Sequence, residues 1–337
     1  MTPRYSIIPV FVPHLGCPQH CVFCNQRRIS GQIKPATPET VVKAIEDAAA
    51  LTPGESKRQL AFYGGSFTAI PAAMQEALLE AAQPYLNSGV IDSIRCSTRP
   101  DAIDNEVLAR LRRYKVGTVE LGAQSLCDEV LIKSGRGHTA ADVENASRLL
   151  KDAGFRLILQ MMTGLPGDTD AECIETARRI IALRPDGVRI YPTVIVRDTE
   201  LFALWKEGKY TEHSVEDAVR VCAVIAKMFD EAEIPIIRMG LNPTDELSGG
   251  DAVAGAYHPA LGELVRSRMM LNEVLEHLED VPAGKSLVLG VNKSDISKMT
   301  GQHRCNIEAL KEKTGLLSVR VIAADVNKGE ILYNVVD

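Results

Sequence analysis

Residues 156–191 read RLILQMMTGLPGDTDAECIETARRIIALRPDGVRIY. An apolar run, Arg156–Met161, leads into a glycine-bearing loop, Thr163–Gly167, then an amphipathic stretch, Asp170–Leu183, and a second apolar run, Gly187–Tyr191. Two strands joined through a whole helix lie parallel, since an antiparallel pair needs only a tight turn. The same unit recurs upstream. Strands are expected at Ile7–Val12, Gln59–Tyr63, Ile91–Ser97 and Thr118–Leu121, and helices at Glu39–Leu51, Ala72–Leu86, Asn105–Arg113 and Ala140–Ala153. Val42, Ala44, Ile45 and Ala48 illustrate the helical spacing. Thr37-Pro38-Glu39 opens one helix and Gly154 closes another. Six strand–helix units in series imply an α/β fold with right-handed crossovers: a barrel, a partial barrel or an open doubly wound sheet.

In each of these folds chemistry gathers at the carboxyl ends of the strands. The polar and glycine-bearing loops fall there. Cys17–Cys24 follows the first strand, Gly64-Gly65-Ser66-Phe67-Thr68 the second and Thr98-Arg99-Pro100-Asp101 the third. Gly122-Ala123-Gln124-Ser125 follows the fourth, Thr163–Gly167 the fifth and Pro192–Arg197 the sixth.

The chain has 337 residues, 45% hydrophobic and 24% charged, which excludes disordered, collagen-like and coiled-coil classes. Its length suits one large domain and a small one. With 38 basic and 44 acidic residues the formal charge is −6, so any nucleic-acid contact must come from a local patch. The apolar run Ile7–Val12 is interrupted by Pro9 and too short to span a bilayer, and no positively charged leader precedes it; a cytoplasmic protein without a membrane partner is expected.

Three of the eight cysteines, Cys17, Cys21 and Cys24, fall within eight residues and the other five are scattered. A secreted disulfide framework would be shorter and would pair its cysteines, so the triplet points to a metal or cluster site. CxxxCxxC thiolates can hold three irons of a 4Fe–4S cluster, with the fourth iron left for another ligand. The alternative is zinc, with His14 or His20 as fourth ligand.

The triplet resembles that of the radical S-adenosylmethionine (SAM) superfamily. The resemblance implies a partial (β/α)6 TIM-type barrel in which Cys17, Cys21 and Cys24 ligate the cluster and SAM chelates the fourth iron. An electron from a reductant of the flavodoxin or ferredoxin type then yields a 5'-deoxyadenosyl radical that takes hydrogen from a substrate. Phe23 lies inside the triplet. Gly64, Gly65 and Ser66 look like the motif that holds the SAM amino group, with Ser66 where glutamate is usual. Glu120, Gln124 and Ser125 look like the segment that meets the ribose, and burial of an unpaired carboxylate favours a ligand role for Glu120. Arg136-Gly137-His138-Thr139 reads as a reach to the SAM carboxylate or as a solvated helix cap, and Gln160–Gly167, with Met161, looks like the segment along the adenine.

The strings from Phe62 to Thr68, Ser97 to Asp101, Arg136 to Thr139, Met161 to Gly167, Ile190 to Thr193 and Thr199 to Leu201 resemble the Elongator catalytic-subunit branch, which groups with MiaB-like and oxygen-independent coproporphyrinogen oxidase-like proteins. The resemblance covers roughly residues 5–240. It departs in the compact cysteine spacing and in Gln160, where His is expected before the Met pair. No acetyltransferase segment is expected in the chain, so acetyl-CoA-dependent tRNA carboxymethylation is not.

Beyond Tyr210 a long helix, Ser214–Glu231, precedes a loop-rich stretch whose polar residues Arg238, Asn242, Asp245, Glu246, Tyr257 and His258 the SAM site does not explain. Tyr257 and His258 are the candidate substrate-contacting, catalytic residues; an interdomain loop is the alternative. The expected division is a barrel domain, 1–258, and a small α+β domain, 259–337. The latter runs helix Leu261–Leu278, strand Ser286–Val291, two short helices and strands Leu317–Ile322 and Ile331–Val336. Gly301-Gln302-His303-Arg304 between its helices resembles the GxxG loop of a KH-type RNA-binding core, with Arg304 replacing the second glycine; a two-helix, three-strand cap with no RNA role is the alternative. Three classes follow: a radical SAM enzyme acting on RNA or tRNA, one acting on a small molecule such as a tetrapyrrole or free modified base, and a non-catalytic zinc or cluster module. A basic rim or bound RNA favours the first, and a deep apolar pocket without a basic rim the second.

Overall fold

A computed structural model describes residues 5–12, 17, 21–25, 28, 35–51, 57–243, 247–278 and 283–336. Seven parallel strands form one curled sheet in sequential order, a half-barrel: β1 (Ser6–Val12), β2 (Arg58–Gly64), β3 (Ser93–Thr98), β4 (Val116–Gln124), β5 (Arg156–Thr163), β6 (Gly187–Pro192) and β8 (Ile236–Met239). The first six are the expected ones with shifted ends. The third starts later than Ile91, because Val90 and Ile91 N–H both turn back to the Tyr85 carbonyl (2.9 and 3.2 Å). The seventh, β8, falls where the sequence reads as loop.

Helices cover the outer face: α1 (Pro38–Leu51), α2 (Ala72–Asn87), α3 (Asn105–Arg113), α4 (Asp128–Lys133), α5 (Ala140–Asp152) and α6 (Asp170–Leu183). Their starts follow from side-chain caps: Asp104, Thr139 and Thr169 accept from the backbone N–H of Val107, Asp142 and Glu172. The main core lies between sheet and helices, with Leu60, Phe62, Ile94, Val119, Leu121, Leu157 and Ile190 fully buried. A short antiparallel ribbon, β7 (Val194–Val196) with β9 (Ala252–Gly255), crosses the carboxyl end of the sheet, and α7 (Glu200–Lys206) and α8 (Val215–Glu231) complete this half.

In the C-terminal segment β10 (Ser286–Val291) pairs parallel with β11 (Ser318–Ala323) and antiparallel with β12 (Ile331–Val336), over α10 (Ile296–Thr300) and α11 (Cys305–Thr314). This is the strand–helix–helix–strand–strand order expected from the sequence. Helix α9 (Leu261–His277) serves both halves. Leu261 and Val265 are buried in the barrel core, whereas Met270, Leu271 and Val274 are buried in the second core with Leu287, Leu289, Ile307 and Leu310. Among the described residues no helix is long and apolar enough to cross a membrane.

Candidate active site

A cavity of about 780 Å³ opens on the inner face of the half-barrel. Cys17, Cys21, Phe23 and Cys24, then Gly64, Gly65 and Ser66, then Glu120, Gln124 and Arg136 all line it. Loops far apart in sequence therefore meet on one face, as the strand-end rule requires.

The cysteine loop is held at both sides. Cys24 N–H donates to the Cys21 carbonyl at 3.0 Å, closing the CxxC turn. Val22 N–H donates to Ser134 O (3.1 Å) and Leu201 N–H to Val22 O (2.7 Å), pinning the loop between the end of α4 and the start of α7. Phe23 packs against one apolar cluster with Val22, Leu201 and Trp205 and another with Val130 and Met162. Among the described residues no three Cys, His, Asp or Glu side chains converge closely enough to hold a metal ion. His14 and His20, the zinc alternatives, lie outside the described residues. The surroundings nonetheless fit an iron–sulfur cluster. Arg136 Nη1 donates to Cys21 Sγ at 3.2 Å, and Arg136 Nε is buried without a partner. Burial pushes the Cys17 thiol up, while the backbone N–H of Ser66 works the other way, favouring thiolate.

The Ser66 hydroxyl has a different task from the expected one. It accepts from Arg99 N–H at 3.1 Å and lies 2.8 Å from Thr98 Oγ1; Thr98 Oγ1 lies 2.5 Å from Thr68 Oγ1, and Thr68 donates to Ala102 O at 2.6 Å. Each hydroxyl has one proton, so the chain runs Ser66 to Thr98 to Thr68 to the Ala102 carbonyl. No Ser66 proton is left for a ligand. The hydroxyl ties the loop after β2 to the loop after β3, and the Gly64–Gly65 backbone faces the cavity.

Glu120 is buried, and the reason is not the expected one. Arg95 Nη1 donates to Oε1 at 2.5 Å and Arg189 Nη2 at 3.1 Å, with Tyr63 OH at 3.3 Å. Two guanidiniums offset the cost of burying the carboxylate, so burial alone does not argue for a ligand. Among the described residues Oε2 has only Ser97 Oγ, at 3.4 Å. Burial and the Glu120 charge push the Tyr63 phenol up to about 12, so it stays a donor. Arg189 also donates to Tyr63 OH (2.9 Å) and Tyr191 OH (3.1 Å).

Gln124 sits at a β-bulge, where the β4–β5 register shifts between Gly122 and Gln124, and takes a left-handed φ of 65°. Such a conformation costs about 1–3 kcal/mol and persists where the surroundings impose it. Here Gln160 Nε2 donates to Gln124 Oε1 at 3.2 Å, and His138 Nε2–H donates to the carbonyl of the bulged Ala123, also at 3.2 Å. Gly122 gives both side chains room: a Cβ there would lie 2.9 Å from Gln124 Nε2 and 3.3 Å from Arg136 Nη2, so the two side-chain ends would have to shift. The Arg136–Thr139 segment thus divides its work. Arg136 reaches the cavity, His138 props the bulge and Thr139 caps α5.

Burial, and then the neighbouring Arg136 charge, push His138 down to about 4 from 6.5. The unfolded chain takes up this proton first, so the contribution is fully present above pH 6.5 and is lost as pH falls toward 4, by about 3 kcal/mol at most. His138→Gln, which can still donate to Ala123, is expected to lose less stability than the parent between pH 6.5 and 4 in urea titrations. Parallel pH profiles for the two proteins would exclude this role.

Other expected site residues fall elsewhere. The pleat turns Met161 into the main core and gives the cavity its neighbours Gln160 and Met162. Ser125 Oγ faces α6, 3.3 Å from Thr176 Oγ1 and accepting from Cys127 N–H at 3.1 Å. Tyr257 OH meets Ser248 Oγ at 2.9 Å, behind Leu247, and His258 Nδ1 accepts from Ala260 N–H at 3.1 Å; neither lines the cavity. Their roles are a turn and a helix entry. Asp245 and Glu246 lie outside the described residues, whereas Arg238 and Asn242 do line the cavity. The sequence reading missed Tyr63, Arg189 and Tyr191. One signal was available: Arg95, Arg189 and Arg238 each place a charge inside a strand, the last two among mainly apolar neighbours.

Comparison with known proteins agrees with this arrangement. The radical SAM superfamily model matches residues 11–180, and the Radical_SAM C-terminal domain model matches residues 185–270. Human Elongator complex protein 3 is 29% identical over 201 residues, covering 54% of this chain and 37% of that protein. The tRNA uridine(34) acetyltransferase of Methanocaldococcus jannaschii is 27% identical over 256 residues, covering 64% and 47%. The chain spans less than half the length of both. The solved archaeal Methanocaldococcus infernus Elp3 with an N-terminal deletion superposes with a TM-score of 0.63 at 21% identity, covering 82% of this chain and 64% of that one, which shows a shared fold. The family's cofactors are a 4Fe–4S cluster and SAM, in keeping with the thiol-lined cavity. The family model over half of the chain places this protein in the radical SAM superfamily, and the half-barrel with a cavity at its strand ends is in keeping with it; the relatives named above, to which it is similar, are Elongator-type proteins.

Proposed function

We propose that this radical SAM enzyme acts on RNA, with tRNA the first substrate to test. When bound, the cluster and SAM supply a 5'-deoxyadenosyl radical that takes hydrogen from the substrate. Cys17, Cys21 and Cys24 hold the cluster, and Arg136 tempers the charge of its thiolates. The Gly64–Gly65 backbone and Gln124 orient SAM, Phe23 walls the cysteine loop from water, and an electron carrier of the flavodoxin or ferredoxin type supplies the electron. A barrel domain, 1–258, does this chemistry and residues 259–337 recruit the substrate.

The observation that carries the RNA reading is the exposed basic loop of the C-terminal segment. Residues 283–336 hold eight Lys and Arg against five Asp and Glu, in a chain of net charge −6. Gly301-Gln302-His303-Arg304 joins α10 to α11, and His303 and Arg304 are exposed rather than packed on the barrel. Both hold left-handed φ, 51° and 65°, which sets this loop apart from one with two glycines. Asn306 fastens its far side, Nδ2 donating to Ser267 O (3.2 Å) and Lys298 O (3.0 Å). The names of the Elongator and tRNA acetyltransferase relatives support the same reading.

The test is full-length, cluster-reconstituted protein with SAM and dithionite, with and without total tRNA. 5'-Deoxyadenosine is expected without RNA and faster with it. Arg304→Glu is expected to keep the RNA-free rate and to lose the tRNA stimulation, together with the salt-dependent part of tRNA binding. Equal rates with and without tRNA, and no salt-dependent binding, would return the small-molecule reading to first place.

A further inference from the structure

We propose that Arg189 and Arg238 form an oxyanion site beside the cofactor, taking a carboxylate or phosphate of the substrate. The proposal rests on the reading that the substrate enters this cavity. Gly122, Gln160, Arg189 and Arg238 form one register row across β4, β5, β6 and β8, and all four line the cavity. The two arginines therefore leave adjacent strands from positions about 4.8 Å apart, Arg189 reaching toward Glu120 and Arg238 toward the Gly240 and Leu241 carbonyls. Like charges directly opposite one another in a sheet are destabilising. A register row that tolerates such a pair suits a negative partner between them.

No carboxylate among the described residues fills that place. Among the described residues the one carboxylate lining the cavity, Glu120, is already shared between Arg95 and Arg189. Arg238 donates to the carbonyls of Gly240 (3.0 Å) and Leu241 (3.1 Å), which carry no charge. The other two arginines lining the cavity are accounted for: Arg99 pairs with Asp101 at 2.9 Å, and Arg136 faces the Cys21 thiol. Excess positive charge thus remains at the β6–β8 side, away from the cysteines and next to the edge strand. Tyr191 OH accepts from Arg189 Nη1, which leaves its own proton for an incoming oxygen. A guanidinium pair with a phenol donor recognises oxyanions by charge and by directed hydrogen bonds.

The test is calorimetric titration of metal-free full-length protein with inorganic phosphate, and separately with acetate, at low ionic strength. The parent is expected to bind saturably, and Arg189→Met and Arg238→Met each to bind roughly tenfold more weakly or worse. Phosphate is expected to raise the melting temperature of the parent more than that of either variant. Preference for phosphate points to a nucleotide backbone, and preference for acetate to a small acid. Variants that titrate like the parent, or phosphate displaced by SAM, would overturn the site. The titration needs neither cluster nor radical. Anion binding without deoxyadenosine release would therefore fault the proposed reaction and leave the site standing, and the reverse result would fault the site alone.

Discussion

Full-length protein reconstituted anaerobically with iron and sulfide is expected to bind about four irons per chain, and Cys17→Ala, Cys21→Ala or Cys24→Ala to lose that iron and its brown absorbance. The controls lie in the same chain. Cys96 and Cys222 are fully buried in the main core, Cys173 Sγ donates to Asp168 Oδ2 at 3.0 Å and Cys305 stands exposed at the start of α11, so Ala at any of them is expected to leave the iron content intact. Cys127, at the start of α4, belongs with them. Stoichiometric zinc without iron after anaerobic purification, or full iron retention in the Cys21→Ala variant, would refute the assignment.

The second large effect is expected at the floor of the cavity. Glu120→Leu leaves Arg95 and Arg189 buried without their carboxylate, and losing one partner of a buried ion pair costs about 3–5 kcal/mol. Arg95 also donates to Gln59 Oε1 at 2.7 Å, so its guanidinium is fixed and cannot swing to solvent. The measurement is the urea midpoint of metal-free protein. A loss under about 1 kcal/mol would mean that water or relaxation replaces the carboxylate. Arg189→Met is expected to cost much less, because Glu120 keeps Arg95.

The strand–helix rhythm was legible because each of the first six strands holds a short, mainly apolar run bounded by turn residues. The cysteine spacing and the glycine loops were legible because local sequence alone defines them. Three features were not. The strand Ile236–Met239 is four residues long, follows Pro235 and carries Arg238, so nothing local marks it as the seventh member of a sheet. Met161 and Met162 are indistinguishable in sequence, and which one faces the cavity depends on pleat parity, where a one-residue shift exchanges the faces. The partners of Glu120 are 25 and 69 residues away, so a carboxylate that looked unpaired was in fact doubly paired. Tyr257 and His258 carried an attractive composition for catalysis, yet neither lines the cavity, and the Tyr257 hydroxyl meets Ser248 while His258 Nδ1 accepts from the Ala260 amide.

Helix α9 lends its first turns to one core and its last turns to the other, so no slack tether joins the two halves. Ser267, midway along it, is bonded by Asn306, which anchors the start of α11 next to Gly301–Arg304. The gap between that loop and the thiol-lined cavity is thereby a fixed span, which on the RNA reading would serve as a caliper. Such a caliper would select substrates by the distance from a gripped backbone to the nucleotide presented for reaction, so a stem longer or shorter than that span would be held but left unmodified.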